Sequence, residues 1–118
     1  MTTFLFVLNG APYGEERTYN GLRLAGALAR KPEHEVRVFL MGDAAVTAKN
    51  GQHVPAGFYN LQVMLNKVIR PAHGRVGVCG TCMEARGMTE AELAQGARKS
   101  TLDELAEWTE WADKVLVF

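Results

Sequence analysis

Two residues carry reactive chemistry at close spacing: Cys79 and Cys82, in Cys79-Gly80-Thr81-Cys82. They are the only cysteines of 118 residues. The pair directly follows a short apolar run, Arg75 to Val78, and leads into Met83-Glu84-Ala85-Arg86-Gly87. If a helical turn starts just after Cys79, Gly80, Thr81 and Cys82 supply its free backbone N–H groups. Those donors and the helix dipole stabilise a thiolate, so the spacing predicts a lowered pKa and a reactive sulfur at Cys79. Gly80 is expected to let the backbone turn closely around that sulfur. The plain alternative is that both cysteines are small buried hydrophobes, as a lone cysteine usually is. A C-x-x-C pair at a strand-to-helix turn favours the functional reading.

Three chemistries compete for such a pair. A dithiol/disulfide couple needs the second thiol within one turn, and Cys82 is placed for that. A sulfur carrier needs one exposed thiolate, and Cys79, nearest the strand end, is the better candidate. A structural zinc site needs four ligands. Only one C-x-x-C exists, and His34, His53 and His73 show no ligand spacing, so no metal is expected within the chain. A thioredoxin fold is disfavoured, because the motif comes late and no proline follows Pro71. No G-x-G-x-x-G or G-x-x-x-x-G-K-[ST] loop is present, so the sequence points to no nucleotide and no other cofactor.

The elements that position the pair alternate. Phe4 to Leu8 is a continuous apolar run, as for a strand covered on both faces. Asn9 to Gly14 is a loop, and Glu15 to Arg30 a helix with Thr18, Leu22, Ala25 and Ala29 on one face and the acidic pair Glu15-Glu16 at its start. Glu35 to Met41 reads as a second strand, Ala44 to Lys49 as a short helical stretch, and Asn50 to Gly57 as a loop. Phe58 to Ile69 carries an apolar stripe at helical spacing, either core or partly an oligomer face. Arg75 to Val78 is the third strand and Gly96 to Lys99 a weak edge strand. Thr89/Glu92 and Thr101/Glu104 have capping-box spacing, the second before a helix from Leu102 to Ala112. Lys114 to Phe118 closes the chain as a strand. This alternation predicts one α/β domain over 1–118, a three-layer α/β/α arrangement with a mainly parallel sheet of four or five strands.

Ligands of open parallel sheets gather at the carboxyl ends of strands. Asn9, Tyr13 and Asp43 are therefore expected on the edge that carries Cys79, as binding residues together with Gly80, Thr81 and Arg86. Each has a plainer role. Asn9 shapes a turn, Asp43 caps the next helix, and Glu84 and Arg86 form a solvated pair. Tyr19, Trp108 and Trp111 read as packing or subunit-contact residues.

Composition narrows the class. Hydrophobic residues make up 47 % and charged residues 22 % of the chain. Thirteen basic residues balance thirteen acidic ones, which excludes the cationic excess of a nonspecific nucleic-acid binder. No apolar run approaches the ~20 residues that span a bilayer. The start, with five apolar residues and no basic leader, reads as a strand, so no membrane and a cytoplasmic setting are expected. Zero net charge also makes self-association less costly.

The order of these features resembles the DsrE/DsrF-like family, with its TusD-type and YchN-type sulfur-relay-like members. The matching residues are the strand Phe4–Leu8 with its loop and helix, Phe39-Leu40-Met41-Gly42-Asp43, Val78-Cys79 leading to Ala85-Arg86-Gly87, and the acidic helix before Ala112-Asp113-Lys114-Val115. The resemblance implies a three-layer α/β/α domain that assembles as a trimer or hexamer. It implies a persulfide on the cysteine at this strand end, Cys79 here, with protein donors and acceptors of sulfur. Cys82 departs from what sulfur relay requires. It leaves open whether Cys79 hands on sulfur, forms a disulfide with Cys82, or does both in sequence. A persulfide carrier or sulfurtransferase, a C-x-x-C redox or thiol-sensing module, and a noncatalytic oligomeric ligand-binding protein are the distinct outcomes. Many members have no established activity, so membership alone assigns none.

Overall fold

The computed structural model describes residues 1–71 and 73–118. Five strands, β1 (Thr2–Leu8), β2 (His34–Leu40), β3 (Arg75–Cys79), β4 (Ala97–Ser100) and β5 (Lys114–Val117), form one parallel sheet in the order β4-β3-β2-β1-β5. The helices are α1 (Arg17–Ala29), α2 (Leu61–Ile69), α3 (Gly80–Ala85) and α4 (Leu102–Trp111), with 3-10 segments at Gly42–Ala48 and Glu90–Glu92. The chain steps outward from β1 to β4 with α1 and α2 on one face. Helix α4 then returns it across the other face to β5, beyond β1. Right-handed crossovers demand this: reversing the direction of travel puts the crossover helix on the opposite face. The result is the three-layer α/β/α fold the sequence predicts.

Both faces of the central strands are covered, which is why β1 reads as an unbroken apolar run. Successive side chains alternate between faces. Phe4, Phe6 and Leu8 of β1 join Val36, Val38 and Leu40 of β2 and Leu22, Ala25, Leu65 and Val68 of the helices in the larger core. Leu5, Val7 and Phe39 point the other way, onto Trp108 of α4. No helix among the described residues is long and apolar enough to cross a membrane.

Several boundaries differ from the sequence reading. Helix α2 starts at Leu61, because the Asn60 side chain accepts the Gln62 and Val63 N–H groups at 3.0 and 3.2 Å. Phe58 consequently precedes the helix and stands 69 % exposed, outside the apolar stripe. Helix α1 starts at Arg17, and the Glu15 carboxylate is engaged by the Arg17 guanidinium at 2.6 Å, so the acidic pair precedes the first turn. The Thr89/Glu92 box closes only the single turn Glu90–Glu92, with the Glu92 carboxylate accepting the Thr89 N–H at 2.8 Å. Thr101 does cap α4, its hydroxyl accepting the Glu104 N–H at 3.1 Å, and Ala112 ends that helix rather than belonging to it.

Candidate functional site

The third strand runs one residue further than the apolar run suggested and ends on Cys79, which pairs with Ser100 of β4. Cys79 is also the N-cap of α3, and its Sγ accepts the Cys82 N–H at 3.4 Å. The strand-to-helix turn expected around the sulfur is therefore present. Gly80 serves it differently from the expectation. A Cβ there would lie 3.0 Å from the Ser100 carbonyl oxygen and 2.9 Å from Lys99 Cε. Gly80 is needed so that α3 can lie against β4, not so that the chain can wrap the sulfur.

The two thiols share one turn but pack toward different cores. Cys79 continues the parity of Leu5, Val7 and Phe39 and packs with the smaller core beside Met41 and Leu105. It opens on a cavity of about 220 Å³ lined by Phe39, Met41, Thr81, Lys99, Thr101 and Leu102, among others. Cys82 packs with the larger core. Its Sγ accepts the Gly42 N–H at 3.1 Å. Gly42 begins the segment after β2 at φ +53°, a conformation that disfavours any side chain. Both sulfurs are half-buried and unbridged.

The electrostatics correct one expectation. The Cys79 thiol is pushed up from its ordinary value, first by burial and then by the neighbouring Cys82 side chain. Backbone N–H groups of Cys82 and Thr81 pull the other way and do not prevail. Loss of water around the sulfur outweighs the donors of a helix only six residues long. In the single chain Cys79 is a neutral thiol at neutral pH rather than a standing thiolate.

The remaining expected residues divide into two sets. Asp43 and Arg86 meet: Arg86 Nη2 lies 2.7 Å and Nε 3.3 Å from Asp43 Oδ1, while Nη1 donates to the Cys82 carbonyl at 3.1 Å. Asp43 makes no capping bond to the segment it opens. Glu84 pairs with Lys99 at 3.1 Å rather than with Arg86. Thr81 and Gly80 line the cavity beside Cys79. Asn9 instead donates its side-chain amide and backbone N–H to the Phe118 carbonyl, at 3.3 and 2.9 Å, filling the gap between β1 and β5. The Tyr13 hydroxyl accepts the Leu61 N–H at 3.1 Å, and its ring stacks on Tyr59, whose ring stacks on Tyr19. These two residues hold loops in place. Trp108 packs edge-on against Phe39, and Trp111 covers the Arg37 guanidinium at 3.7 Å.

Lys99, Ser100, Thr101 and Leu102 were not anticipated as site residues. They reach Cys79 only through the β3–β4 register, which no local pattern announces. Gly42 had a local signal, a glycine directly after an apolar strand. Among the described residues no three metal-ligating side chains converge. A larger cavity, about 450 Å³, opens at the amino ends of β2 and β3 between Ala29, His34, Val36 and His73, at the opposite end of the strands from both sulfurs.

A parallel three-layer sheet with a cysteine capping the helix after its third strand defines a class, and comparison with known proteins gives it a name. Residues 2–118 match the DsrE/DsrF-like family, and the chain belongs to it. It is 43 % identical to the protein YchN of Escherichia coli over 119 residues, with both chains covered in full. The crystal structure of that protein superposes with a TM-score of 0.92 over the whole of both chains. An uncharacterized protein of Methanocaldococcus jannaschii is 35 % identical over 115 residues, covering 98 % of each. A protein of unknown function from Bacteroides thetaiotaomicron shares the fold at 14 % identity, with a TM-score of 0.68 over 98 % of this chain and 94 % of that one.

Proposed function

We propose that this protein handles sulfur in the cytoplasm, as a persulfide carrier or sulfurtransferase that uses Cys79. The observation that supports this reading best is the seat of Cys79 at the carboxyl end of β3, opening on a cavity, in a chain of the DsrE/DsrF-like family. The Cys79 thiolate attacks the outer sulfur of a donor persulfide. A bond forms between Cys79 Sγ and that sulfur, the donor S–S bond breaks, and the donor leaves as a thiol after taking up the Cys79 proton. An acceptor protein thiol then removes the outer sulfur by the same exchange. Gly80 and Thr81 shape the cavity floor. Because burial raises the Cys79 pKa, loading accelerates as pH rises past the ordinary thiol range.

Mass spectrometry after incubation with a persulfide donor tests the reading. One added sulfur on Cys79 of the wild type, absent from Cys79→Ser, is the expected result. No adduct on the wild type, or the same adduct on the variant, overturns it.

The bond from the Cys82 N–H to Cys79 Sγ favours a second reading, a C-x-x-C redox or thiol-sensing module, since it holds both cysteines within one turn. That module needs a Cys79–Cys82 disulfide whose formation alters assembly or partner binding. If Cys82→Ser changes neither, it fails. We also propose a homo-oligomer, trimer or hexamer, because Val115 (42 % exposed), Val117 (67 %) and Leu102 (71 %) leave apolar surface around α4. Light scattering of the purified protein at several concentrations measures the assembly, and a strictly monomeric mass overturns it.

A further inference from the structure

We propose that Cys82 is a resolving nucleophile that discharges the sulfur carried on Cys79 as hydrosulfide when no acceptor takes it, with Asp43 and Arg86 as its positioning residues. This rests on the sulfur-handling reading above. The two thiols differ in what faces them. Cys79 lines a cavity of about 220 Å³ beside β4. Cys82 faces a backbone donor, the Gly42 N–H, at 3.1 Å. Such a donor is an electrostatic partner for a sulfur that carries negative charge as it attacks. The Cys82 N–H meanwhile touches Cys79 Sγ, placing attacker and target on the same turn.

The seat is braced from outside. Gly42 and Asp43 are consecutive, and Asp43 is tied to Arg86 at 2.7 Å. Arg86 is also tied to the carbonyl of Cys82 itself at 3.1 Å. One guanidinium thus fixes both the residue that bears the sulfur and the loop that bears its N–H donor. An exposed ion pair adds little to stability, so the brace matters for geometry.

The step balances. The Cys82 thiolate attacks the sulfur bonded to Cys79 Cβ, and a Cys79–Cys82 disulfide forms. The bond to the outer sulfur breaks, and that sulfur leaves with the electron pair as hydrosulfide. Cys82 Sγ is oxidised and the outer sulfur is reduced, while Cys79 Sγ exchanges one sulfur partner for another. An external dithiol, such as dithiothreitol, reduces the disulfide and closes the cycle.

The test loads the full chain with glutathione persulfide, removes the excess and follows hydrosulfide by bimane trapping, with the disulfide read by mass spectrometry. The wild type should release hydrosulfide and gain the disulfide together. Cys82→Ser should hold its persulfide, releasing more slowly by about a hundredfold or more, as loss of an attacking group predicts. Arg86→Gln and Asp43→Asn should load normally and release more slowly, by roughly three- to tenfold, the size expected for one well-placed hydrogen bond. Arg86→Lys, which keeps the charge, should recover part of the rate, and a merely structural brace would show no such selectivity for release over loading. Equal release from wild type and Cys82→Ser sinks the role of Cys82. Unchanged release from both Arg86→Gln and Asp43→Asn sinks the brace. If nothing loads on wild-type Cys79, the carrier reading falls and the discharge step falls with it. Loading without discharge removes the discharge step alone.

Discussion

The two faces of the sheet are built to different standards. On one, α1, α2 and the Gly42–Ala48 segment bury Phe4, Phe6, Leu8, Leu65 and Val68 in a broad core. On the other, α4 alone covers the strands, and Trp108 is its only buried residue. The thick face buries most of the apolar side chains; the thin face leaves room beside β3, and the Cys79 cavity lies in that room. The C-x-x-C pair spans the difference, with Cys79 on the thin side and Cys82 on the thick side. A three-residue spacing looks symmetric in a sequence and is not so in the fold.

If the thin face depends on one residue, removing that residue should break it alone. Trp108→Ala takes away the ring that packs on Phe39 and lies over Arg37. It should destabilise the protein by about 3–5 kcal/mol, the range for truncating a buried aromatic. Amide exchange should rise along Leu102–Trp111 well before it rises along Leu61–Ile69. Leu65→Ala, on the thick face, should cost about 2–5 kcal/mol without that selectivity. Equal protection loss in both helices after Trp108→Ala would dissolve the contrast.

The layered fold was legible in the sequence for a physical reason: strands covered on both faces and helices with one apolar stripe each leave a periodic trace. β1, β2 and α1 appear within two residues of where that trace puts them. The site was legible only in part. Cys79 and Cys82 announce themselves by type and spacing, Asp43 by following the second strand, and Arg86 by flanking the cysteine turn. Lys99 and Leu102 do not, because their nearness to Cys79 is set by the pairing of β4 with β3. The sign of the Cys79 shift was also hidden. Local spacing showed the N–H donors but not the Phe39 and Met41 side chains that strip water from the sulfur.

The cavity side can be sharpened at Gly80. Gly80→Ala places a methyl 3.0 Å from the Ser100 carbonyl oxygen and 2.9 Å from Lys99 Cε. The Lys99 chain can move, but the backbone carbonyl cannot do so without shifting β4. The expected cost is about 1–3 kcal/mol in denaturant unfolding, the range for overpacking. Sulfur loading at Cys79 should fall with it. A Gly80→Ala protein as stable and as readily loaded as wild type would show that α3 and β4 are not pressed together.

A smaller effect separates the faces by pH. The folded Cys79 thiol has a raised pKa, so the unfolded chain loses that proton first. The stability tied to it is complete below the ordinary thiol range and is lost as pH rises through the raised value. Glu104, which accepts from the Ser100 hydroxyl of the cavity lining, behaves oppositely. Burial raises its pKa, but hydrogen bonds from Ser100 and Arg98 outweigh that and hold it below the usual carboxylate range. Its contribution is present above that range and is lost as pH falls through the lowered value. Cys79→Ser should flatten the alkaline limb of the unfolding profile and Glu104→Gln the acid limb. If neither limb moves, the groups near the cavity are more solvated than their packing indicates.

The smallest change in fold stability is expected at Val117. It points to the thin face from the edge strand β5, in register with Val7, yet is 67 % exposed while Val7 is buried. Val117→Ser in an isolated chain removes little packing and should alter unfolding by less than about 0.5 kcal/mol. In an assembly that covers this flank, the same change puts a hydroxyl into an apolar contact and should lower the mass measured by light scattering at micromolar concentration. The two measurements therefore separate two explanations of the thin face. A shift in mass with little change in unfolding of the dissociated chain means that one helix suffices because a second copy supplies the rest of the cover. No shift in either means that the flank is simply wet, and that the room around Cys79 is open to any donor that reaches it.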